Sequence, residues 1–304
     1  MRLITRSDFD GLVCAMLFRK MDMINEIKFI HPKDLQDGTI DVTSNDILAN
    51  VPYAPGCGLW FDHHSSELER MAVKVDFIGA SRIAPSAARV VYDYYGGRGK
   101  FGDIDDIMAG VDKADSAQFS ADDILNPKGW DFLSFIMDAR TGLGRFRDFR
   151  ISNYQLMENL VDVCAVMPVE DILELPDVKE RIIRYHELDE KFRAMLKENT
   201  RTDGNVIITD LRGTTEIFPG NRFMIYALYP EQNISIWAID GKAQQNCVFA
   251  CGHSIINRTS KTDTGKLMLQ YGGGGHQAAG TCQIPYDQAD QVLQELIDTM
   301  KKNG

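Results

Sequence analysis

The chain has 304 residues, enough for two domains of ordinary size. Its apolar fraction of 44% and charged fraction of 25% are typical of a globular protein, and no apolar run is long enough to span a membrane. The net charge of −11 argues against a broad basic face that tracks duplex DNA or RNA. A small anionic substrate remains compatible with that charge, because a metal and a few arginines can make a locally positive pocket.

The N-terminus and the cysteines indicate the compartment. Residues 1–6 lack the hydrophobic core of a signal peptide and predict a first strand. The six cysteines are too sparse for a disulfide scaffold and fit a reducing cytoplasm. Cys247, Cys251 and His253 resemble a metal spacing only loosely, and their apolar surroundings predict buried strand residues rather than zinc ligands. We therefore expect a cytoplasmic protein.

An acidic turn follows the first predicted strand, Leu3–Thr5. Asp8 and Asp10 lie in this turn, Gly11 follows, and the apolar run 12–18 predicts a buried helix. Open α/β sheets present carboxylates to ligands in this way. Two neighbouring carboxylates can share a divalent cation, which relieves their mutual repulsion. The alternative is a helix N-cap with a second acid near the helix dipole.

A second polar cluster ends an apolar run, where residues 58–61 lead directly into Asp62, His63 and His64. A short apolar run predicts a buried strand. One carboxylate and two imidazoles at its carboxyl end can bind a divalent metal and a phosphoryl oxygen. The alternative is a strand end with hydrogen-bonded histidines.

The rest of the first half alternates between the two kinds of element. Strands are predicted at 27–30 and 46–51, and helices at 85–95 and 104–111. This alternation predicts a parallel sheet with helices on both faces. Residues 130–167 are predicted to be largely helical, with a break at 141–144. Four arginines crowd this break and either face a phosphate or, as we favour, form a solvated helix face: Arg140, Arg145, Arg147 and Arg150.

The composition shifts near residue 204. A charged helical pattern over 178–199 is followed by four short apolar runs separated by turns and by a final helix, 286–301. The fold class we predict is α/β with two lobes: an N-terminal parallel-sheet domain with helices on both faces and a smaller mixed α+β domain. The predicted divisions are 1–180 for the first domain, 181–203 for a helical linker and 204–304 for the second domain.

The second lobe contains an unusual glycine run, 272–275, followed by His276. Four glycines cost backbone entropy, so they usually serve a special conformation or the close approach of a ligand. Exposed amides there can cradle an anion, with His276 as a donor. A flexible linker is the alternative, but apolar strand residues flank this run. The sequence therefore favours an anion site.

These motifs occur in a defined order along the chain: Asp8–Gly11, Asp62–His64, Asp115–Phe119 and Gly272–Gly280. Together they resemble the DHH phosphoesterase superfamily with its DHH-associated C-terminal domain, and within it the branch of oligoribonucleases, adenosine bisphosphate phosphatases and exopolyphosphatase-related proteins. The resemblance implies Mn²⁺ or Mg²⁺, one or two ions, in the N-terminal lobe. It also implies that metal-activated water attacks phosphorus and that the C-terminal lobe holds the substrate.

The resemblance carries roles onto individual positions. The implied metal ligands are Asp8, Asp10, His63 and Asp115, with Asp112 as an alternative to the last. The implied catalytic residues are Asp62 and His64, of which His64 faces the phosphate. To these we add Arg6, which departs from the family pattern and whose fixed cation can bind the same phosphoryl oxygen. The implied substrate-binding residues are Arg258, Gly273, Gly274, Gly275 and His276.

Two positions depart from the family pattern. Arg6 stands where the family usually has a histidine, and a guanidinium is not a normal metal ligand. Asn50 stands where the family usually has an aspartate that bridges two metals, unless Asp46 or Asp41 fills that site through a shifted loop. By this mapping the first metal keeps only Asp8. We expect that metal to be weakly held or absent, with the charge of Arg6 in its place.

The predicted function is a metal-dependent phosphoesterase that hydrolyses a small phosphorylated nucleotide: a short oligoribonucleotide, a cyclic nucleotide or a nucleoside bisphosphate. One alternative is a catalytically degenerate protein that binds or senses a nucleotide. The other is a polyphosphate exophosphatase. The expected partner is a small anionic nucleotide or polyphosphate, without duplex nucleic acid or membrane, and the resemblance allows a homodimer.

Overall fold

The structure is a computed structural model, and it describes residues 1–64 and 76–304. The chain divides into two compact units. The first comprises Met1–Gln118 and Pro127–Tyr185, and the second comprises Phe119–Asn126 and His186–Gly304. Within the described residues, no helix is both long and apolar enough to cross a membrane.

The first unit is built on a five-stranded sheet in which every pair of neighbouring strands is parallel. Its strands are β1 (Arg2–Arg6), β2 (Glu26–Ile30), β3 (Asp46–Ala49), β4 (Leu59–Asp62) and β5 (Gly79–Ser81). Their order is β2-β1-β3-β4-β5, so the direction of winding reverses between β1 and β3. In open α/β sheets, ligands bind outside the carboxyl ends of the strands at such a switch point.

The helices follow from the hydrophobic pattern between these strands. They are α1 (Phe9–Lys20), α2 (Pro32–Gln36), α3 (Ala87–Tyr94), α4 (Arg98–Phe101), α5 (Asp105–Asp115), α6 (Ala121–Leu125, in the second unit), α7 (Gly129–Met137), α8 (Asn153–Val163), α9 (Val169–Leu173) and α10 (Pro176–Asn199). Buried residues of α1, α3, α5, α7 and α8 pack in one cluster against the sheet. This cluster is the main core of the unit.

Both faces of the sheet are buried, which explains why its strands are almost continuously apolar. Successive side chains point to opposite faces, so Phe61 joins the main core while its neighbour Trp60 joins a smaller cluster behind the sheet. Leu35 of α2 and Val51 complete that smaller cluster. The predicted parallel sheet with helices on both faces is confirmed, although in the described residues the second face carries only α2 and loops.

The second unit contains a mixed six-stranded sheet in the order β10-β11-β9-β8-β7-β6. Its elements are β6 (Thr200–Asp203), β7 (Val206–Asp210), α11 (Met224–Leu228), β8 (Ile234–Asp240), β9 (Asn246–His253), α12 (Thr264–Leu269), β10 (Gly274–His276), β11 (Ala279–Pro285) and α13 (Ala289–Asn303). Among the described strands of this second sheet, only β7 and β8 pair in parallel. The apolar side of α13 packs on this sheet, which confirms the mixed α+β architecture.

Strand β9 contains the two cysteines and the histidine whose spacing loosely resembles a metal site. Cys247, Phe249 and Cys251 alternate along it and all point into the core of the second unit. His253, at the end of the strand, places its Nε2 atom 2.7 Å from the carbonyl oxygen of Thr262. The prediction that these cysteines are buried strand residues is therefore confirmed.

Candidate functional site

The site is assembled where three neighbouring parallel strands end. Asp8 follows β1, Asn50 follows β3, and Asp62 ends β4, from which His63 and His64 continue. Because parallel strands point the same way, their carboxyl ends meet at one edge of the sheet. The strand order therefore gathers polar side chains that lie far apart in the sequence.

The turn between β1 and α1 is exceptionally tight. Asp8 is the N-cap of α1, and its Oδ1 accepts a hydrogen bond from the backbone N–H of Gly11 at 3.0 Å. A Cβ atom at Gly11 would lie 2.0 Å from the carbonyl oxygen of Arg6, so only glycine fits there. The N-cap interpretation and the carboxylate-site interpretation of this motif thus hold together, since Asp8 caps the helix while Asp10 points elsewhere.

Asp8 is held by two polar side chains of the protein. The Nε atom of Arg6 lies 3.1 Å from Oδ2 of Asp8, and Nδ2 of Asn50 donates to Oδ1 at 2.9 Å. Asn50 adopts a positive φ of 56°, which turns its side chain at the end of β3. Burial raises the pKa of Asp8, the charge of Asp115 adds to the rise, and the cation of Arg6 opposes it.

Asp10 lies at the N-terminus of α3. Its two carboxylate oxygens accept hydrogen bonds from the backbone N–H groups of Ala87 and Ala88 at 2.8 and 2.7 Å. These donors fix the orientation of the carboxylate and favour its charge. Burial nevertheless raises the pKa of Asp10 to about 7, and the nearby carboxylate of Asp115 contributes to the same rise.

His63 lies between the two carboxylates of Asp10 and Asp115. Its Nδ1 atom is 3.1 Å from the carbonyl oxygen of Ala84, and its Nε2 atom is 3.0 Å from Oδ2 of Asp115 and 3.8 Å from Oδ2 of Asp10. Burial by itself would lower the pKa of His63, but Asp115 and Asp10 outweigh burial and raise that pKa to about 10.

Asp10, His63 and Asp115 form a trio. Each offers one possible ligand atom, and these three atoms lie within 4.8 Å of one another. The Nε2 atom of His63 is buried and, among the described residues, no group meets hydrogen-bond geometry with it. A carbonyl on the other ring nitrogen is the usual support of a metal-ligating histidine. Two carboxylates and one imidazole suit Mn²⁺ or Mg²⁺. The residues therefore fit a divalent cation.

Asp62 and His64 form a second, separate pair. Asp62 is fully buried, and its Oδ1 lies 2.9 Å from Nδ1 of His64. Its Oδ2 accepts from the backbone N–H of His64 at 3.3 Å. Burial would lower the pKa of His64, but the charge of Asp62 outweighs it and the pKa is raised. The His64 side chain is 40% exposed, so its ring is partly solvated.

The alternative acids lie outside the cluster. Asp112 accepts hydrogen bonds from Arg89 and from Ser86, the N-cap of α3. Asp46, at the start of β3, accepts from Arg2 at 2.7 Å. Asp41 is exposed, and its backbone carbonyl also accepts from Arg2. Among these candidates, the structure brings Asp115 rather than Asp112, and Asn50 rather than Asp46 or Asp41, to the switch point.

The glycine run belongs to a β-hairpin rather than a linker. Gly274, Gly275 and His276 form the edge strand β10 and pair with β11. A Cβ atom at Gly275, whose φ is 156°, would lie 2.2 Å from the carbonyl oxygen of Ala279. Gly273 is equally confined, since its Cβ would lie 2.0 Å from the carbonyl oxygen of Thr281. These glycines therefore permit close backbone packing.

Two further substrate candidates of the second unit are on its surface. His276 is exposed on β10. Arg258 is also exposed, and its Nε donates to the carbonyl oxygen of Ile255 at 3.0 Å. Both side chains are accessible to a ligand, and their predicted roles remain predictions.

The arginine-rich break in the first unit is not helical, so the predicted helix face is wrong, although all four of its arginines are exposed as expected. Two short 3₁₀ turns, Ala139–Thr141 and Leu143–Arg145, are followed by an irregular segment before α8. Three of the four arginines line one cavity together with Arg6: Arg140, Arg145 and Arg147. The glycine at 142 adopts a left-handed φ of 78°, which ends the helical pattern.

Sequence reasoning missed the supports of the trio. Ala84 orients His63, and Ala87 and Ala88 hold Asp10, through backbone atoms whose identity carries no chemical signal. The available signal was Pro85-Ser86 ahead of an apolar run, which marks a helix N-terminus. A helix N-terminus near an acidic cluster indicates an anchored carboxylate.

Comparisons with known proteins agree with this geometry. Comparisons with protein-family models and with curated proteins found no match. Among solved structures, a protein described as the pGpG-specific phosphodiesterase PggH from Vibrio cholerae is 48% identical. The match covers 100% of this chain and 99% of that chain, with a TM-score of 0.89.

Two more distant structures share the fold. A DHH domain described as coming from a family of ribosomal proteins is 13% identical, with a TM-score of 0.59, over 99% of this chain and 86% of that one. RecJ from Thermus thermophilus, in complex with Mn²⁺, is 12% identical, with a TM-score of 0.50, over 99% of this chain and 52% of its own.

The chain belongs to the DHH phosphoesterase superfamily. The predicted enzyme class, a phosphoric ester hydrolase of the metal-dependent type that acts on a small phosphorylated nucleotide, is confirmed. The trio can hold a metal, and a neighbour of the same fold was solved with Mn²⁺.

Proposed function

We propose that this protein hydrolyses the linear dinucleotide pGpG to two molecules of GMP. Water adds to the phosphorus of the internal phosphodiester, the P–O3′ bond breaks, and the 3′ oxygen leaves with a proton. The substrate rests on one observation, the full-length 48% identity to a pGpG-specific phosphodiesterase. The geometry of the first unit supports the reaction class, since a trio that can hold a metal and a histidine supported by a carboxylate lie at one edge of the sheet.

We propose one Mn²⁺ or Mg²⁺ ion per chain, held by Asp10, His63 and Asp115. When bound, such an ion neutralises charge on the phosphoryl oxygens and lowers the pKa of water. Asp8 is the remaining candidate ligand of the cluster, and Arg6 and Asn50 already engage both of its oxygens. The guanidinium of Arg6 supplies a fixed positive charge beside the phosphodiester without having to be recruited from solution.

His64 has a distinct role in this proposal. Asp62 holds its Nδ1 side, so the opposite ring nitrogen is oriented as a donor towards a phosphoryl oxygen or the departing 3′ oxygen. Asp62 itself does not face the substrate, because both of its oxygens contact His64. We therefore assign Asp62 as a positioning residue and His64 as the group that contacts the phosphate.

In the second unit, we propose that Arg258, His276 and the run Gly273–Gly275 bind the substrate. The support is their exposure and the edge position of β10, whose outer backbone groups are free of a further strand in the described sheet. Functional divisions at 1–180, 181–203 and 204–304 and a homodimer also stay predictions. Six free cysteines support a reducing, cytoplasmic compartment.

The test is a substrate panel with purified protein and Mn²⁺: pGpG, pApA, cyclic di-GMP, adenosine 3′,5′-bisphosphate and polyphosphate. Chromatography should show two GMP formed for each pGpG consumed, at a kcat/KM above that of every other compound. Faster release of phosphate from polyphosphate would instead establish the exopolyphosphatase. Binding of pGpG by calorimetry without any GMP would establish the nucleotide-binding alternative.

A further inference from the structure

A cavity of about 580 Å³ lies in the first unit, beside the acidic cluster. One wall is the turn after β1, where Arg6 and Ser7 directly precede Asp8. The opposite wall is the arginine-rich segment 139–154. We refer to this space as the arginine cavity. Its volume suits one nucleotide rather than a metal or a water molecule, since small-molecule sites span roughly 300–1,000 Å³.

The charge of the arginine cavity is opposite to that of the protein. The chain carries a net charge of −11, yet among the described residues no aspartate or glutamate lines this cavity. Four arginines do: Arg6, Arg140, Arg145 and Arg147. His31 also lines it, and its Nδ1 accepts a hydrogen bond from the backbone N–H of Lys33. A concave wall of guanidinium groups without a carboxylate selects phosphate, because each group offers planar paired donors.

The arginines of the cavity differ in the ion pairs and hydrogen bonds that they form with other residues. Arg6 pairs with Asp8, and Arg140 pairs with Asp138 at 2.8 Å. Arg147 is exposed and forms no hydrogen bond or ion pair with any residue of 1–64 or 76–304. Arg147 is therefore a cation whose charge remains available to a ligand.

The arginine-rich wall of the cavity is fixed by a buried arginine of α10. Arg181 of α10 is 1% exposed and donates to the carbonyl oxygen of Ile151 at 2.7 Å and to Oδ1 of Asn153 at 3.0 Å. Its guanidinium also lies 4.3 Å from the ring centroid of Phe149. A buried arginine used in this way fixes the segment that carries Arg147, so little ordering entropy is lost when a ligand binds.

The cavity also offers a flat surface. Tyr154 lines it, is 58% exposed, and stacks on Phe29 with a ring separation of 6.1 Å and an interplanar angle of 16°. A supported, exposed ring is suited to stacking against a nucleobase. Phosphate donors and a stacking face thus occur in the same space.

From these observations we propose that the arginine cavity binds the 5′-terminal nucleotide of the linear dinucleotide and recognises its terminal phosphomonoester through Arg145 and Arg147. This inference rests on the proposed function, because the internal phosphodiester would then lie at the acidic cluster next to Arg6. A free 5′ phosphate is what distinguishes pGpG from GpG and from a cyclic dinucleotide. The cavity therefore defines the substrate class as 5′-phosphorylated linear dinucleotides.

The experiment compares pGpG with GpG in three proteins: wild type, Arg147→Gln and Arg150→Gln. Arg150 is the matched control, because it lies three residues further on, pairs with Asp177 at 2.7 Å and does not line the cavity. The wild type should prefer pGpG over GpG by about 10- to 100-fold in kcat/KM, as expected for charge-assisted bonds to phosphate. Arg147→Gln should lose most of that preference through KM, while Arg150→Gln keeps it.

Two outcomes would overturn the inference: equal kcat/KM for pGpG and GpG in the wild type, or an Arg147→Gln variant that keeps the full preference. If no dinucleotide is cleaved, the proposed function fails, and calorimetry of the metal-free protein then decides on the cavity. GMP should bind the wild type at least tenfold more tightly than it binds Arg147→Gln, and guanosine should not distinguish the two proteins. Equal GMP affinities would exclude the cavity.

Discussion

Asp8 and Asp10 lie two residues apart in one turn, yet their surroundings differ completely. Asp8 contacts a cation and an amide of the protein itself, Arg6 and Asn50. Asp10 is anchored by backbone donors and lies 3.8 Å from Nε2 of His63. Asp8 is thus paired with a permanent cation of the chain, whereas Asp10 faces a histidine that becomes a metal ligand once it loses its proton. The number of acids in a motif therefore does not give the number of metals, because the neighbours of each acid decide.

The largest expected effect comes from removing one ligand of the trio. Asp10→Asn and Asp115→Asn should lose Mn²⁺ binding and lower kcat/KM for pGpG by at least about 100-fold, since they remove charge where phosphoryl oxygens must be neutralised. The control is Asp105→Asn, because Asp105 lies on the same helix as Asp115 but is exposed and pairs with Arg98 at 2.9 Å. Metal titration and turnover are the measurements, with circular dichroism to show that each variant folds. Full activity with bound metal in either trio variant would contradict the assignment.

Replacing the two residues that contact Asp8 should make Asp8 a metal ligand, as Asp10 is proposed to be. The double variant Arg6→His and Asn50→Asp places metal ligands around Asp8, so the number of Mn²⁺ ions per chain should rise from one to two. The single variant Arg6→Gln removes the cation without supplying a ligand, and it should stay at one ion. Metal analysis after gel filtration gives the count. A double variant that still holds one ion would show that Arg6 and Asn50 are not what limits the site.

The affinity for metal should depend strongly on pH. The pKa of Asp10 is raised to about 7 and that of His63 to about 10, so both groups hold protons that a cation must displace. The Kd for Mn²⁺ should fall about tenfold per pH unit above pH 7, where only His63 loses a proton, and more steeply below. Both pKa values lie above the unfolded ones, so their contribution to the stability of the metal-free protein decreases as pH rises. Calorimetry between pH 6 and 8 tests this, and a constant Kd would refute it.

The smallest effect should come from the support of Asp10. Ser86 caps α3, whose first N–H groups hold that carboxylate, and Ser86→Ala should cost about 1 kcal/mol of stability. It should also weaken Mn²⁺ binding by about 10-fold, as loss of a supporting contact does. Ser152→Ala removes the N-cap of α8 and should cost similar stability without changing metal affinity. Thermal unfolding with and without Mn²⁺ separates the two. Equal metal affinities in both variants would count against the role of α3.

Much of this fold could be predicted because its signals are local. The apolar strand ending in Asp62 and the glycine after Asp10 are readable in the sequence. The packing of β1 against α1 explains the glycine, since no side chain fits at Gly11. The parallel sheet follows from strands that alternate with helices. The sequence analysis placed Asn50 rather than Asp46 at the switch point, and the strand agrees, since Asp46 begins β3 and Asn50 follows its carboxyl end.

What could not be predicted depends on contacts between distant segments. The arginines near 145 carry the same local pattern whether they cover a helix or line a cavity. Arg181 fixes that outcome through contacts with Ile151 and Asn153, which lie 30 and 28 residues earlier in the chain. In the same way, the carbonyl of Ala84 orients His63 from 21 residues away. The backbone carbonyls of Ile151 and Ala84 can accept a hydrogen bond whatever side chain their residue carries, so the sequence gives no sign of these two contacts.

The central claim is that Asp8 is already neutralised by the protein and that one cation binds at the trio. Crystals grown with Mn²⁺ and measured at the manganese absorption edge would test it most directly. The account predicts a single anomalous peak contacting Asp10, His63 and Asp115, with Arg6 still paired to Asp8. A second peak contacting Asp8, with Arg6 displaced, would contradict it.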